Sequence, residues 1–319
     1  MRLAVFNYRA DEEEFFIKFC AQYHVEAVYI KEPPTPESIE KAAGCDCASI
    51  ITSPVRKPEL DAFKKAGVRF VSTRTIGFDH IDMNYAKELG IGVGNVTYSP
   101  NSVAEYTIML ILMANRKLKT IMMRSLGQDY SLRRVRGMEL RKQTVGVIGT
   151  GQIGRNVIHN LSGFGCKIIA YDKYESDEVK QYAEYVSMDE LLAQADVITF
   201  HIPGNNDNYH MIDKCAFDKM KDGVTIINTA RGTLIDTEAL IDAVECGKVG
   251  AAALDVLEDE QAIYYKDYKY EPVNHRGMAV LNSFPNVIMT PHTAFFTDMA
   301  VSDMVEHSIV SCLKYVGEI

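Results

Sequence analysis

Short apolar runs, mostly β-branched, alternate along the whole chain with longer stretches in which apolar residues recur at helical spacing. This is the pattern of βαβ units, and it predicts an α/β fold with parallel sheets. In the first third the runs are Leu3–Phe6, Ala27–Ile30, Ala48–Ile51 and Arg69–Ser72, with a short fifth at Ile91–Gly94. A second set begins at Thr144 and comprises Thr144–Ile148, Lys167–Tyr171, Val197–His201, Thr225–Asn228, Ala251–Leu254 and Val287–Thr290. The six runs of this set are apolar enough to be covered on both faces, as a doubly wound nucleotide-binding sheet requires.

Between the sets lies Ser99-Pro-Asn-Ser-Val-Ala-Glu105, followed by an apolar stretch through Ala114. Pro100 at the start and Glu105 in the early turns mark a helix N-terminus. The stretch is apolar nearly all round, which fits either a core helix or one covered in part by a second subunit. The segment Ala294–Ile319 carries Met299, Val301, Met304, Val305, Ile309, Val310 and Leu313 at roughly helical spacing. It predicts a helix that returns the chain to the first domain. The expected division is therefore residues 1–99 plus 295–319 for one domain and 100–294 for the other.

Composition narrows the class. The chain has 319 residues, 47% hydrophobic and 24% charged, which suits a globular protein of two domains. A net charge of −9 provides no electrostatic attraction to nucleic acid or to an anionic membrane. The first apolar run has four residues and the longest, Ile108–Ala114, has seven, too few for a signal-peptide core or a spanning helix. Seven scattered cysteines include one close pair, Cys45-Asp-Cys47, with no histidine near it. Free thiols in a reducing cytoplasm, with no metal site, are the expectation.

The chemistry begins after the first strand of the second set. Val145-Gly-Val-Ile-Gly149-Thr-Gly151-Gln-Ile-Gly154 is a G-x-G-x-x-G that follows an apolar strand and opens a helix. Gly149 allows the tight turn, Gly151 lets backbone approach a pyrophosphate, and Gly154 lets the helix pack closely on the strand. The next strand ends at Tyr171-Asp172, where a carboxylate accepts from the adenosine ribose hydroxyls and repels a 2′-phosphate. NAD is thus the expected cofactor, with Lys173 the one neighbouring cation that favours some NADP tolerance.

Ligands of open parallel sheets bind at the carboxyl ends of the strands. The reactive residues there are His201, Arg231, Asp255 with Glu258 and Glu260, and His292. Oxidising a 2-hydroxy acid needs a cation for the carboxylate and the C2 oxygen, a group of near-neutral pKa for the hydroxyl proton, and a carboxylate behind it. Arg231 fills the first role. Spacing alone leaves His201 and His292 open for the second, and all three acids open for the third.

The chain resembles the D-isomer-specific 2-hydroxyacid dehydrogenases, in particular the D-lactate dehydrogenases, including those of vancomycin resistance. The resemblance spans nearly the whole length, through Thr73-Arg-Thr-Ile-Gly-Phe-Asp-His-Ile-Asp82, Tyr98-Ser-Pro-Asn-Ser-Val-Ala-Glu105, the glycine motif, Asn228-Thr-Ala-Arg-Gly232, Ala253-Leu-Asp-Val-Leu-Glu258 and Thr290-Pro-His-Thr-Ala-Phe295. It implies a Rossmann NAD-binding domain and a flavodoxin-like substrate domain with a cleft between them, and usually a homodimer. It assigns Arg231 as substrate anchor, Glu260 as the histidine's partner and His292 as acid–base, and places His201 beside the cofactor. It further implies that Gln152 and Ile153 touch the pyrophosphate, Asp172 the ribose, and Ile202, Pro203 and Asn208 the nucleotide. Thr229 and Asp255 belong to the nicotinamide end, and Ala230 is a further cofactor-binding residue. Ile76 and Gly77 match the loop whose N–H groups bind the substrate carboxylate, and Tyr98 and Phe295 match residues that close the pocket.

Two departures accompany this resemblance. Gln152 stands where close relatives often carry His, and the loop Thr52-Ser-Pro-Val-Arg56, where the family tunes pocket size, has no bulky residue. The rival of another class is a nucleotide-sensing binding protein of the same fold. Among enzymes, a formate dehydrogenase would carry Gln in place of Glu260, and a phosphoglycerate dehydrogenase would draw on cations such as Arg56, Lys57 and Arg74. The expected reaction is reduction of pyruvate or a similar small 2-keto acid to the D-2-hydroxy acid, and its reverse.

Overall fold

A computed structural model describes all residues from Met1 to Ile319. The chain divides into two compact units, Met1–Ser99 with Phe296–Ile319, and Pro100–Phe295.

The first unit holds five strands: β1 (Arg2–Val5), β2 (Glu26–Tyr29), β3 (Cys47–Ile50), β4 (Phe70–Thr73) and β5 (Gly92–Gly94). Their order is β2-β1-β3-β4-β5, with every pair parallel, which is the flavodoxin-like order. Ala4, Ala48, Ile50 and Val71 face one layer with Phe6, Leu60 and Phe63. Leu3, Val5, Cys47 and Phe70 face the other, against Phe16, Phe19, Val305, Ile309 and Leu313. Each fully buried Phe, Leu or Ile side chain contributes about 2 kcal/mol by its removal from water. The helix Asp298–Val316 thus completes this unit. Thr297 caps its start by accepting from Ala300 N–H at 3.2 Å, and Gly317 ends it with φ 78°.

Arg74 is the largest side chain with no exposure at all in this unit. Its guanidinium donates to Glu12 at 2.8 Å, to Ser49 Oγ at 3.0 Å and to the Phe6 carbonyl at 3.0 Å. Burial pulls its pKa below the usual arginine range against the raising effect of Glu12. A buried charge so fully engaged is a structural anchor.

The second unit holds β6 (Thr144–Ile148), β7 (Lys167–Tyr171), β8 (Glu184–Tyr185), β9 (Val197–Phe200), β10 (Val224–Asn228), β11 (Val249–Leu254) and β12 (Val287–Met289). The order is β12-β11-β10-β9-β6-β7-β8, again all parallel. The sheet therefore has seven strands where the apolar runs predicted six. The addition, β8, pairs only Glu184 with Ile169 and Tyr185 with Ala170. Two polar-edged residues carry no periodicity to read. Strand order reverses between β6 and β9, and ligands of such sheets sit at that switch point.

The helix Asn101–Asn115 buries Val103, Ala104, Thr107, Leu110, Ile111 and Ala114. Met109, Leu112 and Met113 stay on its outer side and line an apolar groove of about 580 Å³. It is a core helix with one apolar stripe left over. No helix of the chain is long and apolar enough to cross a membrane.

Candidate active site

The glycine turn is built by close backbone approach. Gly149 has φ 96°, and a Cβ there would lie 2.5 Å from the His201 carbonyl. A Cβ on Gly154 would lie 1.9 Å from the Gly149 carbonyl, so any side chain would prise the helix from the turn. Gly151, by contrast, faces open space. Beyond it the helix Gln152–Ser162 begins, and its first N–H groups have no acceptor within the helix. A turn with free space over Gly151 and a helix N-terminus behind it fits a pyrophosphate.

Asp172 follows β7. Its Oδ2 accepts from Thr150 N–H at 2.6 Å and Thr150 Oγ1 at 3.1 Å, and its Oδ1 from Tyr174 N–H at 2.9 Å. Burial pushes its pKa upward, but these donors outweigh burial and hold the carboxyl below the usual carboxylate range. Lys173 points to Asp207 at 3.9 Å, both exposed. On the rim, Ile202 packs on the core and Asn208 donates to the Pro203 carbonyl at 3.1 Å.

The strands β10, β11 and β12 are neighbours, and their ends carry Arg231, Glu260 and His292. Asn228 shapes the first turn: its Oδ1 accepts from Ala230 N–H at 3.0 Å and its Nδ2 donates to the Arg231 carbonyl at 2.9 Å. Thr229 is buried with its hydroxyl 2.9 Å from that of Thr107. A Cβ on Gly232 would come within 2.0 Å of the Leu257 backbone, so the arginine turn and the acid loop are in direct contact.

Glu260 is 9% exposed, with Oε2 accepting from Leu257 N–H at 2.7 Å and Oε1 facing His292 Nδ1 at 2.5 Å. With Nδ1–H donated to the carboxylate, Nε2 is left to exchange a proton. Glu258 is engaged elsewhere, with His210 Nε2 at 2.6 Å and Thr237 Oγ1 at 2.5 Å. His201 Nε2 lies 3.1 Å from Thr199 Oγ1, and burial pushes its ring down to about 3, so it stays neutral.

His292 sits in a left-handed turn, φ 52°. Two groups absent from the site residues expected from sequence hold that turn or its surroundings. Tyr265 donates its hydroxyl to the His292 carbonyl at 2.8 Å. Asn228 is the other, through the Arg231 turn. Asp255, placed by resemblance at the nicotinamide end, is fully buried. Its Oδ1 accepts from Thr290 Oγ1 at 2.6 Å and Thr293 N–H at 2.9 Å, and its Oδ2 from Ala294 N–H at 2.9 Å. The carboxylate is a clamp on the histidine turn. Phe295 meets the His292 ring edge-on at 6.3 Å between centroids.

Ile76, Gly77 and Tyr98 lie in the first unit. Thr75 Oγ1 donates to the Gly77 carbonyl at 2.5 Å and Asn95 Nδ2 to the Ile76 carbonyl at 2.7 Å, which fixes the loop through its oxygens. Of the cations that favoured a phosphorylated substrate, Arg74 is consumed by Glu12, Arg56 donates to the Asp79 carbonyl at 3.3 Å, and Lys57 lies 5.0 Å over the Tyr85 ring.

A doubly wound sheet with a dinucleotide turn at its switch point and an Arg, Glu and His on adjacent strand ends defines a nicotinamide-dependent oxidoreductase. Residues 108–294 match the family model described as D-isomer specific 2-hydroxyacid dehydrogenase, NAD binding domain. The chain is 43% identical over 314 residues to the D-specific alpha-keto acid dehydrogenase of Enterococcus faecium, covering 98% of this chain and 96% of that one. It is 43% identical over 318 residues to the aromatic 2-oxoacid reductase of Clostridium sporogenes, with 99% and 96% covered. The solved structure of the pyruvate reductase of Chlamydomonas reinhardtii superposes with a TM-score of 0.92 at 35% identity, over 100% of this chain and 97% of that one. The chain belongs to the D-isomer-specific 2-hydroxyacid dehydrogenase family and is an NAD-dependent oxidoreductase.

Proposed function

We propose that the enzyme reduces pyruvate, and other short 2-keto acids, to the D-2-hydroxy acid, D-lactate in the case of pyruvate, and catalyses the reverse. The observation that carries this reading is the His292–Glu260 pair at 2.5 Å, formed from the ends of β12 and β11, with β11 next to the strand β10 that carries Arg231. Bound NADH supplies the hydride. Arg231 holds the substrate carboxylate through a bidentate fork and polarises the C2 oxygen. His292 Nε2 gives its proton to that oxygen in reduction and takes it back in oxidation. Glu260 holds Nδ1 and stabilises the imidazolium. Asp255 and Tyr265 keep the turn in place.

In this reading Gly149, Gly151, Gln152, Ile153 and Gly154 serve the pyrophosphate, Asp172 the ribose, and Ile202, Pro203, Asn208, Thr229 and Ala230 the remainder of the nucleotide. The second unit is the dinucleotide domain. The first is the substrate domain, with Ile76 and Gly77 N–H as anion donors and Tyr98, like Phe295 of the second, as an apolar wall. The relative named for aromatic 2-oxoacids supports a second reading, in which larger keto acids are preferred. A panel of pyruvate, 2-ketobutyrate, 2-ketoisocaproate and phenylpyruvate with NADH and NADPH, followed by chiral analysis of the product, tests both. Pyruvate reduced to D-lactate with NADH at least tenfold preferred is the expected result. Phenylpyruvate turned over far better than pyruvate transfers the assignment to the second reading, and L-lactate overturns it altogether.

We also propose a homodimer in the cytoplasm. Met122 (58% exposed), Met123 (60%) and Leu126 (88%) of the helix Leu118–Leu126, and the apolar groove on the preceding helix, are apolar surface that a second copy would cover. All seven cysteines are free thiols, which supports a reducing compartment. Light scattering after gel filtration measures the assembly, and a monomeric mass rejects it.

A further inference from the structure

Tyr185 lies on the short edge strand β8, and its phenol oxygen reaches back over the end of β7. It accepts the Ser176 N–H at 3.0 Å and lies 2.8 Å from Thr150 Oγ1. Thr150 is the 5%-exposed residue inside the glycine turn, and both its N–H and its hydroxyl contact Asp172 Oδ2, at 2.6 and 3.1 Å. The turn after β6 and the loop after β7 therefore meet at one carboxylate, and β8 reaches it through Thr150.

Counting hydrogens sets the direction of this chain. An ionised carboxylate only accepts, so the single hydroxyl hydrogen of Thr150 goes to Asp172. The Tyr185 O–H must then donate to Thr150 Oγ1, while the Ser176 N–H fills a lone pair of the phenol oxygen. Every dipole in the series Ser176, Tyr185, Thr150 points at Asp172, and each bond strengthens the next by polarising it. With Tyr174 N–H on Oδ1 at 2.9 Å, the carboxylate is held from both oxygens and cannot turn about its last torsion.

We propose that Tyr185 is a positioning residue of the dinucleotide site, its hydroxyl keeping the Asp172 carboxylate charged and aimed, and thereby setting the preference for NAD over NADP. The inference rests on the reading of Asp172 as the ribose ligand. Discrimination against a 2′-phosphate needs a negative charge that is present and unable to swing away. Tyr185 supplies the second condition, and Lys173, the neighbouring cation that would soften the charge, is drawn towards Asp207.

The test is the variant Tyr185→Phe in the full chain, with NADH and NADPH dissociation constants read by fluorescence titration and KM and kcat by steady-state rates. NADH binding weakens by about five- to tenfold, the net worth of one hydrogen bond, while NADPH binding changes less than about twofold. The KM for NADH rises with little change in kcat. Thr150→Val, which removes the next link, reproduces the narrowing, and Thr150→Ser, which keeps the hydroxyl, restores discrimination. Equal weakening towards both cofactors, or none, overturns the proposal. Asp172→Ser separates the two levels. If it leaves the NADH-to-NADPH ratio unchanged, the ribose reading falls and the proposal with it. If it narrows the ratio while Tyr185→Phe does not, the relay alone is refuted.

Discussion

Replacing Glu260 by Gln keeps the shape of the side chain and removes its charge. In the native site both carboxylate oxygens accept, one from Leu257 N–H at 2.7 Å and one from His292 Nδ1 at 2.5 Å. An amide has one acceptor and one donor, so it cannot serve both. If its oxygen takes Nδ1–H, its NH2 is turned against the Leu257 N–H. If it flips, its NH2 donates to Nδ1 and reverses the tautomer. Either way the imidazolium loses a charge-assisted hydrogen bond worth about 1.5–3 kcal/mol. The sign follows from the direction of the reaction. Reduction needs the protonated imidazole and fails as pH rises, so its falling limb moves acidwards. Oxidation needs the neutral ring, so its rising limb moves acidwards as well. The assay is kcat/KM for pyruvate with NADH, and for D-lactate with NAD, from about pH 5 to 9. Limbs that stay within about 0.3 unit in both directions, in an enzyme that still turns over, would falsify the assignment of charge support to Glu260.

Arg231→Lys keeps the charge and loses the bidentate fork, so kcat/KM falls by about a hundredfold, or roughly 3 kcal/mol; a value within threefold of wild type removes Arg231 from the site. His292→Ala abolishes turnover and leaves NADH titration nearly unchanged, whereas loss of NADH binding would mark the histidine as structural. Glu12→Ala leaves Arg74 charged and fully buried without its partner, and denaturant unfolding drops by about 3–5 kcal/mol. A loss below 1 kcal/mol would mean that water reaches the guanidinium.

The alternation of apolar runs was enough to predict both sheets and to place every strand but β8 to within two residues at each end. Thr144–Ile148 and Lys167–Tyr171 coincide with the observed strands. A strand covered on both faces must be apolar throughout, and that requirement is local, so the chain displays it. The glycine motif is legible for the same reason: a turn that brings Gly154 against the Gly149 carbonyl tolerates no side chain, and the spacing records it. What tertiary structure alone decided is where side chains point once the strands end. Spacing left Asp255, Glu258 and Glu260 equivalent behind His292. In the fold the first clamps Thr290 to Ala294, the second turns to His210 and Thr237, and the third meets the imidazole. The turns responsible, at Asp259 with φ 54° and His292 with φ 52°, are left-handed at non-glycine residues and leave no mark in a periodicity. Strand β8 and the Tyr185–Thr150–Asp172 chain were hidden likewise, because two residues at a sheet edge have no pattern until their neighbours are in place.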